Sequence, residues 1–334
     1  MGPELAIPPP MSDLPLAPYL KDIGRGKEGA RALDAEAAEA VFAAVLDGRV
    51  GPVELGAFVM AMRIKGESQD ELAGFLQAVQ ARCLRLEPAR PTVVLPSYNG
   101  SRKLPNLTAL LALLLAQDGV QVLVHGPTSD PARVTTAEIF HALGLPVAGD
   151  VGDILDGWRR HEPVFVPTDA LCPPLARLLA LRWTVGLRNS GHTVAKLLDP
   201  CAGGRSIRVV NYTHPEYGSA LQSFLGATGA NAMLLRGTEG EPAADPRRQP
   251  RMEVFLGGRL RPELGCAAQE GVLAELPVLP RDTDAATTAL YIQSVVSGEK
   301  PAPAPLQQQV AALRRALEAL QAGPAAPAAR AGAG

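Results

Sequence analysis

Aromatic residues make up only 4% of this 334-residue chain, which leaves little material for a platform that stacks on single-stranded bases. Cysteine is sparse too. Cys83, Cys172, Cys201 and Cys266 lie far apart, with no Cys-x-x-Cys pair and no histidine at zinc-ligand spacing, so buried thiols rather than metal ligands are expected. The longest apolar run, residues 107–116, is too short to span a bilayer. The first residues lack a basic stretch followed by an apolar one, so no secretory leader is expected and the cytoplasm is the expected compartment. Neither charge dominates: the net charge is −2, which excludes a polycation taken as a whole. What is present, 47% apolar and 20% charged residues, suits one large or two smaller globular domains.

The charge is nonetheless uneven. Between residues 170 and 210, Arg177, Arg182, Arg188, Lys196, Arg205 and Arg208 stand against Asp199 alone. Screening confines each charge to about 8–10 Å at physiological salt, so such a patch can hold a polyanion whatever the global balance. A solvated helix face is the commoner meaning of a basic run. Arg188, His192 and Lys196 are spaced i, i+4, i+8, and a continuous helix would put all three on one face. Asn189 and Gly191 leave the start of that helix open.

Helical signals begin at Asp34, a cap for an apolar face of Ala37, Val41, Val45 and Leu46 that stops at Gly48. Pro52 opens a second helix and Ser68, with Glu71 three residues on, a third. From residue 92 the pattern changes to alternating strands, expected at 92–95, 120–124, 164–166, 207–210, 232–235 and 252–256, and helices at 107–117 and 135–143. Helices expected at 175–181 and 193–198 have no strand between them, so they should leave the sheet and join the helical unit. The fold class is therefore α/β: a small all-helical domain (19–91 with 170–200) and a large domain with a mostly parallel sheet (92–169 with 201–322), between a Pro-rich arm (1–18) and an Ala/Pro/Gly tail (323–334).

The segment between the first strand and its helix, Pro96-Ser97-Tyr98-Asn99-Gly100-Ser101-Arg102-Lys103-Leu104-Pro105-Asn106-Leu107-Thr108, lies where strand, turn and helix N-terminus make an anion cradle. Such loops are usually glycine-rich, so that backbone N–H groups can close on a phosphate. This one has Gly100 alone, among bulky residues. Arg102 and Lys103 can grip an anion from the rim, and Ser97, Ser101, Asn106 and Thr108 can offer residual phosphate contacts.

Residues 33–78, above all Phe58-Val59-Met60-Ala61-Met62-Arg63-Ile64-Lys65-Gly66-Glu67-Ser68, resemble the N-terminal helices of anthranilate phosphoribosyltransferases and related nucleoside phosphorylases, and the resemblance runs over about residues 20–315. It implies a dimerising helical domain joined to a large α/β domain, with phosphoribosyl pyrophosphate and magnesium in the cleft between them. Residue by residue the likeness thins. The family's Gly-Thr-Gly-Gly-Asp loop is similar in position to residues 96–100, its Asn-Ile-Ser-Thr to Asn106-Leu107-Thr108-Ala109, and its Lys-His-Gly-Asn turn to Val124-His125-Gly126-Pro127. The Asp-Glu pair that holds magnesium falls at Pro242 and Ala243, with Glu239 and Glu241 as the nearest substitutes. Arg177 matches the arginine of the substrate pocket.

Residues 96–103, 186–197 and 235–241 instead resemble the YbiB-type branch of this superfamily. That resemblance implies a homodimer whose basic grooves bind DNA or RNA, single- or double-stranded, with little sequence preference, and it implies neither cofactor nor metal. The residues it points to are Arg102, Lys103, Arg177, Arg182, Arg188, His192 and Lys196. Trp183 and Tyr98 can stack on bases, although Trp183 is expected in the core. His125 is expected as a satisfied structural histidine, and His214 is the best placed for acid–base work. Two readings therefore stand: a non-catalytic nucleic-acid-binding dimer, and a phosphoribosyl- or glycosyl-transferring enzyme with an altered pyrophosphate site.

Overall fold

The computed structural model describes residues 14–323. Its helical part is specified locally. Helices α1 (Ala17–Ile23), α2 (Gly26–Gly29), α3 (Ala35–Leu46), α4 (Pro52–Lys65) and α5 (Gln69–Gln80) follow one another without a strand. Asp34 accepts the Ala37 N–H at 2.8 Å to cap α3, Pro52 begins α4, and Ser68 and Glu71 cap α5 reciprocally at 3.1 and 2.8 Å. Phe42 stacks on Phe75 at 4.3 Å while Phe58 meets Phe75 edge-on at 6.0 Å. Gly74 permits this approach, since a Cβ there would lie 2.3 Å from the Ala35 carbonyl oxygen.

The Pro-rich arm expected over residues 1–18 is cut short. Residues 1–13 lie outside the described ones, but Leu16 is fully buried in the same core as Phe42 and Phe75, and α1 starts at Ala17. The tail expected at 323–334 lies outside the described residues except for Gly323, which caps the last helix.

Seven strands follow: β1 (Thr92–Pro96), β2 (Gln121–Gly126), β3 (Val164–Pro167), β4 (Ser206–Tyr212), β5 (Ala232–Arg236), β6 (Met252–Leu256) and β7 (Arg259–Leu260). They form one sheet in the order β3-β2-β1-β4-β5-β6-β7. The first five run parallel, β6 is antiparallel to β5, and β7 is antiparallel to β6. Between and after them lie α6 (Thr108–Gln117), α7 (Thr136–Leu143), α8 (Val151–Arg159), α9 (Thr168–Leu171), α10 (Pro173–Val185), α11 (Ser190–Ala195), α12 (Glu216–Ala227), α13 (Ala285–Val296) and α14 (Ala304–Ala322).

Alternation along each strand feeds two cores, as in a sheet covered on both faces. Val93, Leu95, Val209 and Met233 face the core built with α6, α7, α13 and α14. Val94, Val210 and Leu234 face the core that also holds Phe42, Phe58 and Phe75. The helical unit and one sheet face thus share a continuous apolar interior. After β3 the chain leaves the sheet, placing α10 against α3 and α11 against α4 and α5 before returning as β4. Helices α8 and α12 are not among those expected from the sequence; each carries two glycines (Gly152 and Gly157, Gly218 and Gly226), which lower its helix propensity.

Candidate functional site

Two loops meet above the carboxyl ends of the parallel strands, where ligands of open α/β sheets bind. One, residues 97–107, leads from β1 to α6. Its root is fixed by the His125-Gly126 turn: Ser97 N–H donates to the His125 carbonyl at 2.8 Å, and a Cβ on Gly126 would lie 1.8 Å from the Ser97 carbonyl oxygen. The other, residues 237–243, leaves β5 through a tight turn in which Glu239 (φ 52°) and Gly240 (φ 85°) are left-handed. Gly240 is required there, because a Cβ would fall 1.8 Å from Asn99 Nδ2.

The cradle is filled by the chain's own carboxylates. Glu241 Oε1 accepts the N–H groups of Asn99 at 2.8 Å and Gly100 at 2.7 Å. Its Oε2 accepts the Ser97 hydroxyl and, at 3.3 Å, the Thr108 hydroxyl. Glu239 Oε1 accepts the N–H groups of Lys103 and Leu104, both at 2.8 Å, and its Oε2 that of Arg102 at 3.2 Å, with the Arg133 guanidinium 3.8 Å away. Five N–H groups of the loop and two hydroxyls therefore close on two carboxylates, the arrangement of a backbone anion nest. Asn99 locks the loops together, donating to the Glu239 carbonyl at 2.8 Å and accepting from Arg188 at 2.5 Å.

Electrostatics follow from burial. Glu241 is 1% exposed, and burial raises its pKa against the Ser97 hydroxyl, the two N–H groups and the Lys196 charge. Lys196 donates to the Gly240 carbonyl at 3.2 Å; burial pulls its pKa down to about 8, opposed by Glu241. His192 is pulled down to about 3, first by burial and then by Arg188 and Arg182. His125 is pulled down to about 4 by burial. Its Nδ1 lies 2.9 Å from the Tyr98 hydroxyl and its Nε2 3.3 Å from the Leu198 carbonyl, the neutral, satisfied histidine expected from the sequence.

Several expected sites are placed otherwise. Arg188, His192 and Lys196 do not form a solvated stripe. Asn189 caps α11, which spans six residues, so Arg188 precedes the helix and Lys196 ends it; His192 is buried. Arg177 bonds the Leu46 carbonyl at 3.4 Å, at the end of α3 and away from the cradle. Arg182 pairs with Asp130 at 3.1 Å and lies over the Trp183 ring at 4.2 Å. Trp183 is 56% exposed rather than in the core, and Tyr98 is buried rather than free to stack. His214 is exposed beside Tyr217, with no other partner among the described residues that would make it an acid or base. Ser97, Asn106 and Thr108 are already engaged, Asn106 with Thr136 at 2.9 Å and with the Thr108 N–H at 3.1 Å. Ser101 Oγ is buried without a hydrogen-bond partner among the described residues.

Magnesium does not fit the residues present. Pro242 and Ala243 offer no side-chain oxygen, and Glu239 and Glu241 spend theirs on the loop. Among the described residues no cluster of three His, Cys, Asp or Glu side chains could hold a metal.

Two hollows adjoin the cradle. One of about 390 Å³ between the helical unit and the sheet is lined by Arg63, Glu67, Arg188, Lys196 and Tyr217. The other, about 210 Å³, lies against Tyr98, Asp130, Arg182 and Trp183. Arg102 and Lys103 are exposed beside the cradle. Sequence reading missed Glu239 and Glu241 as partners of the loop. The available signal was paired: a single glycine in residues 96–100, and two glutamates at 239 and 241.

Residues 17–83 match the family model described as "Glycosyl transferase family, helical bundle domain". The protein YbiB of Escherichia coli K12 is 42% identical over 295 residues, covering 87% of this chain and 91% of that one. The anthranilate phosphoribosyltransferase of Methylocella silvestris is 25% identical over 285 residues, covering 83% and 79%. In fold, the chain is similar to the crystal structure of that enzyme from Thermus thermophilus, with a TM-score of 0.67 at 22% identity over 91% of this chain and 89% of the other. The Saccharomyces cerevisiae enzyme in complex with PRPP and Mg gives 0.59 at 13% identity, covering 93% and 97%.

Proposed function

The chain belongs to glycosyl transferase family 3, in the superfamily of the anthranilate phosphoribosyltransferases, and on that premise we propose that it is a cytoplasmic, nucleic-acid-binding homodimer that transfers no phosphoribosyl group. The observation that carries this reading is the self-filled cradle. A pyrophosphate would have to expel both Glu239 and Glu241 from the backbone N–H groups they occupy, and no carboxylate pair stands at 242 and 243 to bring magnesium with it. The transferase alternative has no comparable support.

Polyanion binding is supported by what lies outside the cradle. Arg102 and Lys103 give their N–H groups to Glu239 and leave their side chains exposed. Across the hollow Arg63 is exposed as well. None of the three side chains takes part in an ion pair among the described residues. Arg188, which bonds Asn99 at 2.5 Å, adds a further positive charge beside the cradle. Binding of this kind grips phosphates without reading bases.

The test is a salt-titrated mobility shift on mixed-sequence single strands and duplexes, beside an assay for pyrophosphate release from phosphoribosyl pyrophosphate and magnesium. Arg102→Glu with Lys103→Glu should weaken binding to all sequences alike and lower the salt slope by about 0.7–0.9 per lost phosphate contact. No binding by the parent at 50 mM salt, about the low end at which such affinities are compared, would remove the reading. Pyrophosphate release above background would remove its non-catalytic half.

The dimer is supported by α4, where Val53, Ala57, Met60 and Ile64 form an exposed apolar stripe at helical spacing, Val53 77% and Ile64 57% exposed. Light scattering should give twice the chain mass of 35.0 kDa, and Met60→Asp with Ile64→Asp should return it to one. A parent protein that scatters as a single chain at micromolar concentration would refute the assembly.

A further inference from the structure

Four free thiols are present, and two of them converge. Cys83 follows the end of α5, and Cys172 caps the start of α10. The Leu84 N–H donates to the Leu171 carbonyl at 2.8 Å, one residue from each cysteine. Standard backbone dimensions then keep the two Cα atoms within about 8 Å even at full stretch, and a disulfide needs roughly 4.4–6.8 Å. Cys83 packs against the core cluster that contains Cys172, and each thiol shifts the proton affinity of the other.

The surroundings treat the two sulfurs differently. Cys172 is fully buried and Cys83 half-buried. Cys172 Sγ lies 4.0 Å from the Val79 carbonyl oxygen, and the influence of the Cys83 thiol, then of the Leu175 N–H in the first turn of α10 and of the Arg82 and Arg177 guanidiniums, holds its pKa below the ordinary thiol range despite burial. Helix N-termini and adjacent cations favour thiolates in this way. Cys83 keeps the proton, raised first by the influence of Cys172 and then by burial. Cys201 has no such pairing: it lies beside Asp199, and burial and that carboxylate push its thiol up.

We propose that Cys83 and Cys172 are a redox modification site, closing to a reversible disulfide that staples the end of α5 to the start of α10. With a low-molecular-weight disulfide such as oxidised glutathione, Cys83 passes its proton to Cys172 and its thiolate attacks one glutathione sulfur, expelling the other half as a thiolate. Cys172 then loses that proton to solvent, attacks the Cys83 sulfur and expels the second glutathione thiolate. One S–S bond breaks in glutathione and one forms in the protein. The pair gives up two electrons and the one proton it held, and that proton with one more from solvent makes two molecules of reduced glutathione. Cytosolic disulfides are chiefly of this transient, sensing kind.

The experiment uses the full chain in glutathione buffers of stepped oxidation ratio, quenched in acid, unfolded, alkylated and read by mass spectrometry. Cys83 and Cys172 should lose their alkylatable thiols together, with a joint mass loss of two hydrogens, in the parent and in Cys201→Ser/Cys266→Ser alike, and dithiothreitol should restore both. The disulfide form should melt several degrees higher. Full alkylation of both residues in the most oxidising buffer would overturn the proposal, as would a stable glutathione adduct on Cys83 beside an unreacted Cys172. In Cys83→Ser, Cys172 should stay unmodified; an adduct there would overturn the assignment of Cys83 as the point of attack.

Discussion

Replacing Glu241 by alanine should cost about 3–5 kcal/mol of stability, since each buried donor left without its acceptor costs roughly 1–3 kcal/mol. The loss leaves the N–H groups of Asn99 and Gly100 and the hydroxyls of Ser97 and Thr108 without this acceptor and removes the negative charge that opposes the fall in the Lys196 pKa. Glu241→Gln keeps an oxygen on the two N–H groups and should cost less, about 1–2 kcal/mol. Chemical denaturation at pH 7.5 measures both. The Ala variant should also regain stability with millimolar inorganic phosphate or pyrophosphate, by mass action on the emptied nest, whereas the parent should not respond. An Ala variant within about 1 kcal/mol of the parent, the ordinary cost of a point mutation, would mean that the loop needs no anion.

Stability should fall steeply as pH drops from 6.5 towards 4, because two histidines are buried neutral. The folded pKa of His125 is about 4, and that of His192 about 3, both against 6.5 in the unfolded chain. Below pH 6.5 the unfolded chain therefore binds more protons, so the stability these histidines contribute is complete above 6.5 and is lost as pH falls through their folded values. At 1.36 kcal/mol per pKa unit, His125 alone accounts for about 3 kcal/mol between pH 6.5 and 4. Glu241 works the other way. Its raised pKa favours the folded state at low pH and so opposes the decline. Denaturant midpoints between pH 4.5 and 8 should show the decline, and His125→Gln, which cannot titrate, should flatten part of it. A parent profile that is level across this window would contradict the neutral assignment.

The legible parts of this molecule were those written in adjacent residues. Asp34 and Ser68 with Glu71 mark helix starts because each cap bonds its own next turn, Pro52 marks one because its φ is fixed for a first turn, and the strands read as apolar runs because both sheet faces are buried. The cradle was visible as a loop with the wrong chemistry, yet its partners lie more than a hundred residues on, and no local rule couples Asn99 to Glu241. The basic stripe failed for a related reason. Spacing alone presumes a continuous helix, and Asn189 breaks it by bonding the Gly191 N–H at 3.0 Å. Trp183 went to the surface because Arg182 covers its ring and satisfies the guanidinium with Asp130 at the same time.

The tethering of Glu239 and Glu241 carries a consequence for how the protein meets the cell's metabolism. A ligand held on a turn of the same chain is present at an effective concentration that short tethers commonly set in the millimolar range or above, and it never dissociates into bulk solvent. A free phosphorylated metabolite competing for those N–H groups at lower concentration loses. The nest is saturated from the moment of folding, so the shape of the loop that presents Arg102 and Lys103 is independent of nutrient state, and the scaffold has become constitutive where a substrate-dependent one would fluctuate with supply.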